Sequence, residues 1–262
     1  MSTVVEEAPR PTMDPRLRQR RIDVRRAEGR RRLRRLMIGF GAVATVALAW
    51  GFTYSTFLDV DHVVVRGESH TTETDIRAAA AIGRGQPMVY IDTGAARRRV
   101  ESLPWVARAE VHRDFPGTVR IDVVERVPVV ATAIPAGGWR LFDAEGHAVG
   151  DASGLPPGII AMSGPTPPVA VGAEVSAAEL AAIDAAVSMP QSLKQRVGAV
   201  ALAKDGTIDL QLAPEGTIHL GSPVDLPAKY LAAVAVLDQV DPHKTIGVLD
   251  VRAPEAPVLA PG

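Results

Sequence analysis

VARAEVHRDFPGTVRIDVVER, residues 106–126, decides how the chain folds. Over residues 106–114, Ala107, Ala109 and Val111 alternate with Arg108, Glu110 and His112, the period of two that a half-buried strand requires. Residues 118–126 answer with Val119, Ile121 and Val123 on one face and Arg120, Asp122 and Val124 on the other. Between them Phe115-Pro116-Gly117-Thr118 places Pro and Gly where a type II turn takes them, so the two runs predict a hairpin.

Upstream, the period changes. Thr72 opens a capping box with Asp75, and Ile76, Ala79 and Ala80 recur at helical spacing until Gly83 stops the helix. After the loop Gly85-Gln86-Pro87 and a short apolar piece at residues 88–91, Asp92 caps a second helix with Ala96, Val100 and Leu103 on one face and Pro104 at its end. Residues 60–67 alternate around Val63 and Val65 and read as a strand ended by glycine. The order over residues 59–127 is strand, helix, helix, strand, strand.

Further upstream, residues 36–58 carry no charge. A helix of that length matches a hydrocarbon layer of roughly 30 Å, which predicts a single transmembrane helix. Residues 1–35 hold 12 Arg against 5 acidic residues, while the other 227 residues of the chain carry 17 basic and 25 acidic ones. Arg34 and Arg35 stand at the helix entry and Asp59 and Asp61 follow its exit, so the N-terminus is expected in the cytoplasm and everything after Asp59 outside. The basic arm is expected to lack regular structure and to touch anionic lipid rather than nucleic acid. Trp50 and Tyr54, with Phe52 and Phe57, are expected to anchor the outer end at the headgroups. Ala47-Leu48-Ala49 also fits a signal-peptide cleavage site, although a 35-residue basic leader is long for that role.

Downstream, residues 139–142 and 147–149 flank Asp143-Ala144-Glu145-Gly146 and read as a hairpin. The proline-rich residues 156–168 read as a surface crossing. Ser176 and Glu179 form a capping box for a helix expected to turn Leu180, Ile183 and Val187 inward. Residues 197–203, 207–212 and 217–220 form a meander, and a helix from Pro227 to Val240 buries Tyr230, Val234 and Leu237. Residues 246–252 are the final strand, and residues 254–262 a Pro-rich tail. The fold class is therefore α+β: one transmembrane helix, a βααββ domain, then a β-rich domain with packed helices over residues 128–253. Pro128 breaks the strand pattern and marks a hinge between the two.

Chemistry has no foothold. The chain has no Cys, which excludes disulfides, thiolate zinc sites and a cysteine nucleophile. Its six His stand in no zinc spacing, no G-x-S-x-G occurs, and Gly83-Arg84-Gly85 lacks the rest of a dinucleotide loop. No catalytic, cofactor-binding or metal-binding residue is expected. The strand 246–252 offers another activity, since an edge strand with unpaired backbone groups accepts a partner's strand. Val248, Asp250, Val251 and Arg252 form the expected contact strip, with Arg252 pairing a partner carboxylate.

The run Val63-Val64-Val65-Arg66-Gly67, then Leu103-Pro104-Trp105-Val106, Phe115-Pro116 and Val124-Glu125-Arg126-Val127-Pro128, resembles the POTRA domain of the FtsQ (DivIB) family of bacterial cell-division proteins. Leu220-Gly221, Lys229 and Leu249-Asp250-Val251-Arg252 extend the resemblance to about Pro254. Where that family often has an aromatic residue after Asp-x-Arg, this chain has Ala253. The resemblance implies a non-enzymatic scaffold at the division septum. Its implied partners are FtsB (DivIC), FtsL and the septal wall synthase pair, beside the lipid bilayer, with no nucleic acid, small-molecule substrate or cofactor. A signal-anchored extracytoplasmic cell-wall enzyme is the alternative.

Overall fold

The charge-free run beginning at Leu36 is helical as far as Phe52, and its helix extends back into the basic arm. In the computed structural model, which describes residues 15–52, 58–240 and 246–261, helix α1 covers Pro15–Phe52. The arm expected to lack structure is thus helical from Pro15. Its Arg, Leu and Gln residues are good helix formers, and proline's fixed φ suits a first turn. Among the described residues no helix is long and apolar enough to cross a membrane. The expected span continues through residues 53–57, which lie outside the described residues.

The remainder, Val60–Gly262, forms one unit built around two cores. In the first, β1 (His62–Arg66), α2 (Glu73–Ala80), α3 (Thr93–Glu101), β2 (Val106–Asp114) and β3 (Thr118–Glu125) follow in the order read from sequence. The sheet order is β1-β3-β2, with β1 parallel and β2 antiparallel to β3. Val119, Ile121 and Val123 are buried against Ile76, Ala80 and Val100, as the alternation requires. Asp92 Oδ1 accepts the Ala95 N–H at 2.8 Å and caps α3. Two details depart from expectation. Helix α2 ends at Ala81, held at φ 52, before Gly83. The β2–β3 turn is not type II: the Phe115–Pro116 bond is cis and Gly117 keeps a negative φ. The Gly117 carbonyl accepts the N–H groups of Asp61 and His62 at 2.8 and 3.1 Å.

The second core lies under a nine-stranded sheet of order β12-β11-β10-β9-β8-β7-β4-β5-β6. Its strands are β4 (Pro128–Ala133), β5 (Trp139–Asp143), β6 (Ala148–Ala152), β7 (Ile160–Ser163), β8 (Val197–Leu202), β9 (Ile208–Leu212), β10 (Thr217–Gly221), β11 (Ile246–Asp250) and β12 (Val258–Pro261). Helices α4 (Ala177–Ser188), α5 (Gln191–Lys194) and α6 (Leu226–Leu237) complete it. One cross-strand row, Met162, Val200, Leu210, Ile218 and Leu249, faces these helices. The Tyr230 hydroxyl ties α6 to α4 by donating to the Ala185 carbonyl at 2.6 Å. Burial pushes that phenol up to about 12. Helix α4 buries Ile183 as expected but not Leu180 or Val187. Glu179, Ala182, Ile183 and Ala186 are buried, while Leu180 and Val187 are 39% and 38% exposed. Alanines let the helix approach the sheet closely, and its larger apolar residues are left at the margin.

The expected hinge is clamped. Pro128 opens β4 instead of interrupting a strand. Trp105 stacks on His70 with ring centroids 4.2 Å apart, and its indole lies over Gly150 of β6 so closely that a Cβ there would sit 3.0 Å from Nε1. The Trp105 carbonyl accepts the Arg126 N–H at 2.7 Å. Arg126 Nη1 then donates to the buried Asp143 carboxylate at 2.6 Å and to His147 Nδ1 at 2.9 Å. Trp105 thus joins the two cores.

Candidate partner-binding edge

Strand β11 was expected to be the free edge, and it is not. It pairs with β10 in parallel, Thr217↔Val248, Ile218↔Leu249 and His219↔Asp250. On its other side β12 pairs antiparallel, with Val248↔Ala260, Leu249↔Leu259 and Asp250↔Val258. The tail that reads as a Pro-rich coil therefore supplies the outermost strand. Val251 is wholly buried and its N–H donates to the His219 carbonyl at 3.1 Å, so it belongs to the core rather than to a contact strip. Val248 and Asp250 are half-buried on the face away from the helices, and Arg252 is exposed. Arg252 already has its carboxylate: Nε and Nη2 reach Asp250 Oδ2 at 2.9 and 2.5 Å. The guanidinium hydrogen bond, reinforced by the Arg252 N–H and the charges of Arg252 and His219, outweighs desolvation and holds Asp250 down at about 2.

Three separate pieces of sequence meet beside this pair. Gly221, at φ 67, ends β10 where a Cβ would sit 2.9 Å from Arg252 Cγ, so the arginine stem passes only over a glycine. Lys229 of α6 is buried, and its Nζ donates to the carbonyls of Leu220 and Ser222, on either side of Gly221, at 2.8 and 2.7 Å. Leu220-Gly221, Lys229 and Asp250-Val251-Arg252 are thus one clamp that fixes the ends of β10 and β11. Next to it His219 Nδ1 lies 2.8 Å from Asp209 Oδ1. Nothing local in the sequence signals that these pieces converge, because helix α6 and the residues flanking it separate them.

At the opposite end of the sheet the start of β6 is covered. The Ala148 N–H donates to the Ala173 carbonyl at 2.9 Å, and the Gly172 and Val175 N–H groups donate to the Ala148 and Gly146 carbonyls at 2.7 and 3.0 Å. Residues 172–175 therefore occupy the edge of β6, and the Trp105 indole covers Gly150 beyond them. β12 has a neighbour on one side only. The cleft lined by Val129, Ile160, Val187, Gln191 and Lys194 holds no acid and base pair, and Lys194 Nζ is bound to the Val187 carbonyl at 2.8 Å. Among the described residues no group of His, Asp or Glu could hold a metal ion.

On α1, Arg34, Arg35 and Trp50 are exposed. So are Leu36, Met37, Ile38, Phe40, Val43, Val46 and Leu48, which cover every side of the helix. Tyr54 lies outside the described residues.

Known proteins are similar to this chain in sequence. Residues 58–126 match the family model described as "POTRA domain, FtsQ-type". The cell division protein FtsQ of Rhodothermus marinus is 30% identical over 253 residues, which cover 89% of this chain and 88% of that protein. That of Mycobacteroides abscessus is 31% identical over 224 residues, 86% of this chain and 68% of the relative. The Mycolicibacterium smegmatis protein of the same name is 31% identical over 221 residues, 83% of this chain, and the match spans 62% of its length. With the βααββ order in place and the alignment running through the clamp-bearing domain, the chain belongs to the FtsQ family of cell division proteins.

Proposed function

We propose that the chain is a single-pass membrane scaffold of the division machinery that recruits and links FtsB (DivIC), FtsL and the septal wall synthase pair, and that it does no chemistry of its own. Residues 36–58 form the membrane span, with the arginine arm in the cytoplasm and the unit from Val60 onward outside. A helix with large apolar side chains exposed on every side suits lipid better than water, which supports the span. The cation excess before it and Asp59 and Asp61 after it support the orientation. Trp50, Tyr54, Arg34 and Arg35 then fix its depth, the rings at one headgroup layer and the guanidinium groups at the other.

One observation carries the scaffold reading: the long sheet ends in β12, a strand with a neighbour on one side only, whereas residues 172–175 cover the start of β6 at the other end. Natural sheets blunt edges that are not used. A partner strand added at the open end gains main-chain hydrogen bonds, and its alternate side chains set specificity. Val248 and Asp250 lie at that end, and Arg252 stiffens it by holding Asp250.

The test is affinity capture of tagged, full-length protein extracted from the membranes of its own cells. Wild type should recover FtsB-like and FtsL-like proteins, Val248→Arg should recover at least tenfold less, and Leu231→Ser, on the exposed side of α6, should match wild type. Wild-type capture without any division protein would sink the reading.

A further inference from the structure

Two loops of the βααββ domain grip the chain where it enters that domain. Val60 stands two residues beyond residue 58, a reach of about 7 Å at most. Its N–H donates to the Gln86 carbonyl at 2.9 Å, and its carbonyl accepts the Gly85 N–H at 2.9 Å. One step on, the Asp61 and His62 N–H groups share the Gly117 carbonyl. The α2–α3 connection, residues 81–92, and the β2–β3 turn, residues 115–117, therefore meet at the start of β1. The sheet requires this, because β1 runs parallel to β3 and β2 antiparallel to it, which puts the start of β1, the end of β2 and the start of β3 at one end.

Both loops are held firmly, and both show apolar side chains to solvent. Arg113 Nη2 donates to the Ile91 carbonyl at 2.7 Å and ties the end of β2 to the α2–α3 connection. Arg99 of α3 donates from Nε and Nη2 to the Ala79 and Ala80 carbonyls at 3.2 and 2.6 Å and fixes the end of α2. Met88 and Ile91 are buried, yet Val89 and Tyr90 between them are 39% and 55% exposed. Phe115 on the other loop is 57% exposed. The far end of β1 differs: Arg66 is exposed there, and Ser69, His70 and Thr71 follow it.

We infer, on the reading of residues 36–58 as the membrane span, that this end of the βααββ domain sits on the outer leaflet, with Val89, Tyr90 and Phe115 in the headgroup layer. Aromatic side chains favour that layer. Because the fold already fixes both loops, seating them in lipid costs little further conformational entropy. Asp61 and Asp92 are exposed at this end beside Arg84, so no cation excess draws it to anionic lipid. Neutral headgroups suffice, and the contact is insensitive to salt. A covalent connection alone leaves the orientation of the domain open. Two loops seated in lipid beside that connection decide which end of the domain faces the membrane.

The chain has no native cysteine, so single thiols can report the depth of each loop. Full-length Tyr90→Cys, Phe115→Cys, Arg66→Cys and Leu48→Cys variants, each carrying a fluorophore, are reconstituted in phosphatidylcholine vesicles with a nitroxide high on the acyl chain. The labels at 90 and 115 should be quenched at least threefold more than the label at 66, equally at low and high salt. Equal quenching at 66, 90 and 115 overturns the inference. Quenching at 48 with 90 and 115 spared also overturns it and leaves the span standing. Quenching at 90 and 115 with 48 spared keeps the loop contact and removes the span. A label at Arg84→Cys then tests the side chains themselves: adding Tyr90→Ser and Phe115→Ser should lower its quenching at least twofold, and an unchanged signal would show that these rings do not seat the loops.

Discussion

Glu125 is the residue on which the βααββ domain closes. Its carboxylate, 8% exposed, accepts N–H groups from Ser69 at 3.0 Å, His70 at 2.9 Å and Thr71 at 2.8 Å, and lies 3.1 Å from His70 Nδ1. Desolvation pushes its pKa up, but the three backbone bonds and the imidazole outweigh it and hold the group at about 2 instead of 4.5. A carboxyl depressed on folding stabilises the fold fully above its unfolded value and loses that contribution as pH falls toward the folded one. The melting temperature should therefore drop between pH 5 and pH 2, and Glu125→Gln should remove a share of that drop. At pH 7 Glu125→Ala should cost about 2 kcal/mol, read from chemical denaturation, by leaving three N–H groups unpaired. An unchanged pH profile would show that the carboxylate contributes nothing. Sequence holds a sign of this role, because Glu125 falls in the inward phase of β3, two residues past Val123, where an apolar side chain belongs. Its partners at 69–71 are more than fifty residues away, and nothing local identifies them.

Elements were legible in proportion to how strongly their period spoke. β1, α2, α3, β2 and β3 carry clean alternation or clear caps, and their order emerged intact. β4, β7 and β12 did not, since each is short, starts at or near proline and lacks polar alternation. β7 (Ile-Ala-Met-Ser) runs parallel to both β4 and β8 and buries only Met162, so four residues give too short a run for an alternation to show. Helix α4 was seen but turned to the wrong face, because in Ala-Ala-Glu-Leu-Ala-Ala-Ile-Asp-Ala-Ala-Val-Ser almost every side is apolar. Its true face makes a prediction. Ile183→Ala should cost roughly 2–4 kcal/mol, whereas Leu180→Ala and Val187→Ala should each cost under about 1 kcal/mol. Denaturant midpoints for the three variants decide it, and a loss at Leu180 and Val187 as large as at Ile183 would mean the helix packs as the spacing first suggested.

At the level of the whole molecule, the junction determines whether two cores behave as one body. Trp105, Arg126, Asp143 and His147 cross from one core to the other, so the unit from Val60 onward should melt in a single calorimetric transition of the full chain in detergent. Trp105→Ala deletes the stack on His70 and empties the seat over Gly150, and it should lower stability by about 2 kcal/mol and split the melt in two. A single transition in that variant would assign the coupling to the Arg126 ion pair alone.

The pairing of β1 with β3 has a mechanical side. β1 is entered from the end nearest α1, and β3 leads directly into β4 and the second core. If the chain is tethered before Val60 and tugged through its C-terminal domain, the start of β1 and the end of β3 are drawn apart along their length. In a parallel pair this loads all five residue pairs from His62↔Thr118 to Arg66↔Asp122 in shear at once, instead of peeling them one by one. Such a joint yields only when the whole ladder ruptures together, so its resistance is that of five residue pairs acting at once.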